Sequence, residues 1–235
     1  AERFPLLRQP AAAGGKIRRV AVLLCTANRG LCGAFNANLI REARRRIADL
    51  EAQGVQVDLH LVGKKGVGFF KYSKRPIASQ RIDVGDRPTA EHAQELIAPL
   101  IAQFESGALD AVDVVYARFN SAIATPPTVQ RVLPVEPPAV DRSKGPAVVA
   151  DYILKPSADA ILEQLLPLYV RNQVYRALVE TAAGFYGAQR TAMKNATDNA
   201  GDMLDLLRRT YNRARQAQIT QELAEIVGGA EALNG

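Results

Sequence analysis

The chain has no tryptophan and only two histidines, two cysteines and two methionines among its 235 residues. Each scarcity excludes something. His60 and His92 sit in no catalytic signature, so a His-activated nucleophile at Cys32 is not expected. No Cys/His/Asp spacing suggests a metal ligand set either, so the sequence offers no catalytic, cofactor-binding or metal residue. Cys25 and Cys32 come without a secretory segment or an array of cysteine pairs, and read as reduced thiols of a cytosolic compartment. Aromatics make up only 6% and are not interleaved with the basic residues, which argues against nucleic acid as a partner. No apolar run approaches the roughly eighteen residues that would span a bilayer.

What the chain does contain is enough apolar material, 48%, for a sizeable aliphatic core, which makes global disorder untenable. Its net charge of +6 favours acidic partners: a protein face, phosphates or an anionic membrane surface. The sequence opens on Ala1 rather than Met, as a fragment, a processed chain or a trimmed one would.

Three regions follow in order. Residues 1–16 form an irregular lead-in broken by Pro5, Pro10, Gly14 and Gly15. Residues 17–150 read as an α/β globular domain. Residues 17–25 are a continuous apolar strand of the doubly buried kind. The loop TANRGLCGAFN comes next, then a helix over 36–53 with Leu39, Ile40, Ala43, Ile47 and Leu50 on one face and Arg41, Arg44, Arg45 and Arg46 on the other, stopped by Gly54. Residues 55–62 alternate as a second strand, 63–73 form a short helix or turn, and 77–84 a short strand. A second amphipathic helix, capped by Thr89, covers 88–104. Two more strands surround the Pro126-Pro127 turn, and residues 136–150 are Pro-rich and loop-like. Alternating strands and helices predict a small, mainly parallel sheet flanked by helices.

Residues 151–235 read as one long helix, beginning at Ser157 as N-cap with Asp159 in its first turn. A helix of that length spans on the order of 110 Å, more than a compact domain can use. Met193, Ala196, Ala200, Leu204, Leu207, Tyr211 and Ala214 recur at intervals of three and four, and the seam resumes at Ile219, Leu223, Ile226, Ala230 and Leu233. Such heptads call for a partner helix, so this one is expected to be one strand of a coiled coil. Pro167 predicts a kink or local thinning. Charges fall in blocks, with Asp198, Asp202 and Asp205 followed by Arg208, Arg209, Arg213 and Arg215, then Glu222 and Glu225. Keeping a long helix soluble accounts for these blocks as well as a partner does.

The loop NRGLCGAFN sits between a buried strand and a helix, where α/β proteins hold phosphate. It matches neither glycine fingerprint for nucleotides, and GKKGVG at 63–68 lacks the P-loop spacing, so a tight turn with a contact role is the better reading. Asn195-Ala196-Thr197 matches a glycosylation sequon, but it falls in mid-helix and is discounted.

Two stretches together resemble a known family. TANRGLCGAFNANL and AMKNATDNAGDMLDLL…YNRARQAQITQELAEIVGGA are similar to the gamma subunit of the F-type ATP synthase, and the resemblance runs in order over nearly the whole chain. It implies a central-stalk rotor that is not itself catalytic and binds no cofactor. Such a rotor turns with the membrane c ring and drives the beta catalytic sites through successive conformations in ATP synthesis. The implied partners are the alpha, beta and epsilon subunits and the c-subunit ring, with no nucleic acid and the membrane reached only through the ring. Arg215, Gln216 and Thr220 match the family's contact with an acidic catch loop on beta. Leu223, Ile226, Val227 and Leu233 match the tip of the shaft, turning in an apolar sleeve. Arg29, Gly30, Leu31, Cys32 and Gly33 match a loop near the lower end of beta, and Tyr152 and Lys155 a contact with the c ring or epsilon. Some members carry an acid where Lys155 stands. The implied location is the cytoplasmic face of a bacterial inner membrane or its organelle equivalent; the Ala- and Arg-rich usage points to a bacterium. The family opens with a long helix that winds antiparallel to the C-terminal one, and no counterpart precedes residue 17 here, so these residues alone are expected to carry a frayed or self-associated rod. No insert with a cysteine pair is visible, which argues against thiol control. The reading that competes from the residues themselves is an α/β phosphate- or nucleotide-binding protein with a dimerising helix.

Overall fold

A computed structural model describes residues 4–8, 16–136 and 157–234 of the chain. The Pro-rich stretch expected after residue 136 lies almost wholly outside them, as does most of the lead-in. The elements run β1 (Arg19–Cys25), α1 (Phe35–Ala52), β2 (Gln56–Val62), α2 (Lys64–Tyr72), β3 (Ser79–Arg81), α3 (Ala90–Glu105), β4 (Ala111–Ala117), β5 (Pro127–Leu133) and α4 (Ala158–Asn234), with a short 3₁₀ turn at Pro5–Leu7. The chain divides into two compact units, Ala1–Arg190 and Thr191–Gly235, and the division falls inside α4.

The first unit is built on a five-stranded sheet in the order β3-β2-β1-β4-β5. Four strands are parallel, and β5 joins antiparallel at the edge. That is a doubly wound sheet, and the α/β expectation holds. The apolar run of β1 is continuous because both of its faces are covered: Val20 to Leu24 are fully buried. Ala21 and Leu23 join the core under α3 and the start of α4, while Val20, Val22 and Leu24 join the core under α1 and α2. The strand begins at Arg19 rather than at 17, since the Asp110 carboxylate takes the backbone N–H groups of Arg18 and Arg19 at 2.7 and 3.0 Å. Pro127 opens β5, the edge position where a missing N–H does least harm.

The helix signals hold in detail. The Thr89 hydroxyl accepts from His92 N–H at 3.4 Å, and the Thr89 N–H donates to His92 Nδ1 at 3.1 Å, a reciprocal cap on α3. Gly54 ends α1 with φ +75, a conformation that costs glycine nothing. Ser157 caps α4, its hydroxyl accepting from Ala160 N–H at 3.2 Å. At Pro167 the helix is uninterrupted.

One part of the charge pattern differs from the helical-wheel reading. Arg41, Arg44 and Arg45 are exposed, but Arg46 turns toward the sheet and meets Asp113 of β4 at 2.7 Å. Arg131 of β5 reaches the same carboxylate at 2.8 Å. Asp113 is only 1% exposed, and the two guanidinium groups satisfy a carboxylate that would be costly to bury without partners.

The second unit is helical from Thr191 through Asn234, and every described residue of it beyond Ala192 is exposed.

Candidate functional site

In a doubly wound sheet the strands fan apart where the chain changes faces. Here that point lies between β1, whose following helix α1 packs on one face, and β4, which is entered from α3 on the other. Ligands of such folds bind in this crevice, at the carboxyl ends of the strands. In this chain α4 fills it. Val170, Val174, Ala177 and Leu178 belong to the core on the α3 side, and Phe185, two turns on, belongs to the core on the α1 side. The space left among Cys25, Thr26, Leu178, Thr181, Ala182 and Phe185 is about 30 Å³. That volume suits one or two water molecules and no nucleotide.

The loop after β1 lies at the same end of the sheet. Arg29 forms an ion pair with Asp86, lies 3.3 Å from the Tyr186 hydroxyl as donor, and places its guanidinium 5.7 Å from the centre of the Phe185 ring. Asn28 bonds Ile82 and accepts from Lys64 N–H. Asn36 donates to the Arg29 carbonyl at 3.2 Å and accepts from Ala27 N–H at 3.0 Å. Cys32 is buried beside the Asn36 amide. The loop is thus pinned at both ends, with Leu31 held at φ +60 and 73% exposed. A non-glycine residue in that conformation is strained by about 1–3 kcal/mol, a cost found at contact and binding sites. Gly33 takes φ +57, and a Cβ at Gly30 would lie 3.6 Å from Lys65 Nζ. Burial pushes the Cys25 thiol up to about 12, so it remains protonated and unreactive at neutral pH. Nearby, the Arg81 guanidinium holds the Asp83 carboxyl down at about 2.

In the second unit, Arg215, Gln216 and Thr220 are all exposed. Thr220 donates to the Gln216 carbonyl at 2.8 Å, so these two share a face, while Arg215 lies about 100° round the helix from Gln216. Among the described residues no ion pair holds the Arg215 guanidinium. Leu223, Ile226 and Val227 are 57%, 68% and 58% exposed. The side chain of Leu233, and Tyr152 and Lys155 altogether, lie outside the described residues. Among the described residues no helix is long and apolar enough to cross a membrane, and no cluster of His, Cys, Asp and Glu could hold a metal.

Sequence reasoning found the loop but not what holds it: Asp86, Tyr186 and Phe185 carry no local signal of that task. It also missed Glu180 and Thr181, which bond the end of β4, and Asp113. The last left a trace, a lone acid inside the apolar strand AVDVVYA.

Fold and site together define a doubly wound α/β domain that closes its ligand crevice with its own long helix. The family model for ATP synthase matches residues 2–233. The chain is 64% identical over its full length to the ATP synthase gamma chain of Gemmatimonas aurantiaca and covers 79% of that protein. It is 44% identical over 96% of its length to the gamma chain of Moorella thermoacetica, covering 77% of it. A chain of the mitochondrial ATP synthase of Euglena gracilis, solved with OSCP, F1 and the c-ring, shares the fold with a TM-score of 0.62 at 20% identity, over 96% of this chain and 75% of that one. The chain belongs to the ATP synthase gamma-chain family.

Proposed function

We propose that the chain is the central-stalk rotor subunit of a proton-transporting ATP synthase. It is not catalytic itself; it couples rotation of the c ring to conformational cycling of the beta catalytic sites. The observation that carries this reading is the second unit, a helix whose apolar seam and Arg215 guanidinium are all turned to solvent. Among the described residues no core uses those groups, and a helix that faces partners would.

The partners on this reading are the alpha, beta and epsilon subunits and the c ring. Arg215, Gln216 and Thr220 face the beta catch loop, where a guanidinium against carboxylates gives a strong, oriented contact. Leu223, Ile226, Val227 and Leu233 form the tip in the apolar sleeve. The loop of Arg29, Gly30, Leu31, Cys32 and Gly33 meets the lower end of beta, and its pinned, outward Leu31 supports that role. Tyr152 and Lys155 as c-ring or epsilon contacts rest on the family resemblance. The seam from Met193 to Ala214 takes a partner helix. The subunit is peripheral to the membrane, on the cytoplasmic face in a bacterium.

Two measurements test the reading. The chain should co-purify with alpha and beta subunits, and in the reconstituted complex Arg215→Ala should impair ATP-driven rotation or assembly. Equilibrium dialysis with ATP separates the competing nucleotide-binding reading: a tight site on this chain alone would overturn the rotor assignment.

A further inference from the structure

Apolar contact holds α4 against the sheet but does not fix its angle, because burial has no direction. Hydrogen bonds do have direction, and α4 makes a row of them on one stripe. Gln173 accepts from Gln130 Nε2 of β5 at 3.0 Å, and that amide's oxygen accepts from the Tyr116 hydroxyl of β4 at 3.1 Å. Seven residues on, Glu180 accepts from Phe119 N–H at 2.8 Å, and the next residue, Thr181, accepts from Ala117 N–H at 3.3 Å. Seven residues further, Gly187 lies so close to the β4–β5 turn that a Cβ would come within 2.4 Å of the Ala122 carbonyl oxygen.

The two captured N–H groups have a clear origin. Pairing of β4 with β1 ends at Val115 opposite Leu24, and β5 takes the N–H groups on the other side, as with Arg118 to Pro126. Ala117 and Phe119 therefore point donors into the crevice where β1 has stopped. The acceptors from α4 are built for them. Thr181 is buried and donates its own proton to the Ala177 carbonyl at 2.7 Å, which turns its lone pairs toward Ala117. Glu180, 14% exposed, is steadied by Arg176 at 2.5 Å. The crevice that would receive a ligand in a related fold receives the helix instead.

We propose that Gln173, Glu180 and Thr181 are positioning residues that key α4 to the β4–β5 edge, fixing the helix against rolling about its own axis and against sliding. This rests on the rotor reading: the key is where torque passes between the sheet domain and the helix, over a length of about 20 Å.

The test uses the assembled complex with alpha, beta and the c ring. Glu180→Leu with Thr181→Val removes both acceptors; Glu180→Gln with Thr181→Ser keeps them. With the acceptors removed, amide exchange at Ala117 and Phe119 should quicken about tenfold or more, and protons pumped per ATP hydrolysed should fall while hydrolysis continues. The conservative pair should restore both. Thr181→Val alone, which keeps the side-chain volume, serves where the double variant does not assemble, and should quicken exchange at Ala117. Unchanged exchange overturns the key. Faster exchange with unchanged pumping per ATP overturns its role in torque and leaves the rotor reading intact. Failure of the unaltered chain to assemble with alpha and beta removes the rotor reading itself.

Discussion

One helix lives in two environments. In the first unit the apolar residues of α4 are interior: Val170 and Val174 are fully buried, Phe185 is 2% exposed. In the second unit comparable residues stand in water, with Leu207 at 58% and Tyr211 at 66%. The sequence pattern is apolar at intervals of three and four in both. What differs is who supplies the covering surface. Before Arg190 the sheet does, and those side chains carry the fold. Beyond it they join no core among the described residues, and their heptad spacing suits a partner helix. Mutational sensitivity on the two sides should therefore diverge sharply.

The largest contrast comes from truncating apolar side chains. Phe185→Ala removes a ring packed edge-on against Phe35 at 6.2 Å and should cost about 3–5 kcal/mol. Leu204→Ala, at a seam position 49% exposed, should stay within about 0.5 kcal/mol in the isolated chain. Urea unfolding followed by circular dichroism measures both, and equal losses would abolish the distinction between the units. Glycine gives the next contrast, with opposite signs. At Gly187 a Cβ meets the Ala122 backbone, which has little room to retreat, so Gly187→Ala should destabilise by about 1–3 kcal/mol. At Gly201 a Cβ meets nothing within 4 Å, so Gly201→Ala should stabilise the helix by about 1 kcal/mol. A gain in helicity for the second and a lower midpoint for the first would sharpen the boundary near Arg190.

Much of this was legible in the chain. The continuous apolar run of β1, the Thr89 and Ser157 caps, Gly54 and the seven-residue seam are local signals, set by neighbours within a turn or two. The loop at Arg29 was legible too, because two glycines between a buried strand and a helix mark a tight turn. What was not legible is long-range. Nothing near Glu180 says that Phe119 will bring it an N–H, since that bond depends on β4 running on past Val115, its last residue paired with β1. Arg46 looked like one more solvent arginine, because its partner Asp113 is far along the chain. The direction of β5 depended on a turn whose geometry prolines allow in more than one way.

The smallest expected effect concerns His60, and it too separates the units, since both histidines of the chain lie in the first. His60 Nδ1 sits 2.7 Å from the Ser79 hydroxyl of β3, and its Nε2 is buried without a partner. Burial lowers its pKa below the ordinary 6.5, outweighing the raising effect of Asp58. The folded state thus binds fewer protons than the unfolded one as pH falls through that range. The stability it protects is whole above the ordinary histidine value and declines as pH drops through 6.5 toward the lower folded value. The first unit should lose stability as pH falls through 6.5 and below, and His60→Gln should remove part of that slope. Helicity of the second unit should not follow it. A slope unchanged by the substitution would mean that other groups govern the acid response of the sheet edge, and that the buried imidazole is tolerated in both charge states.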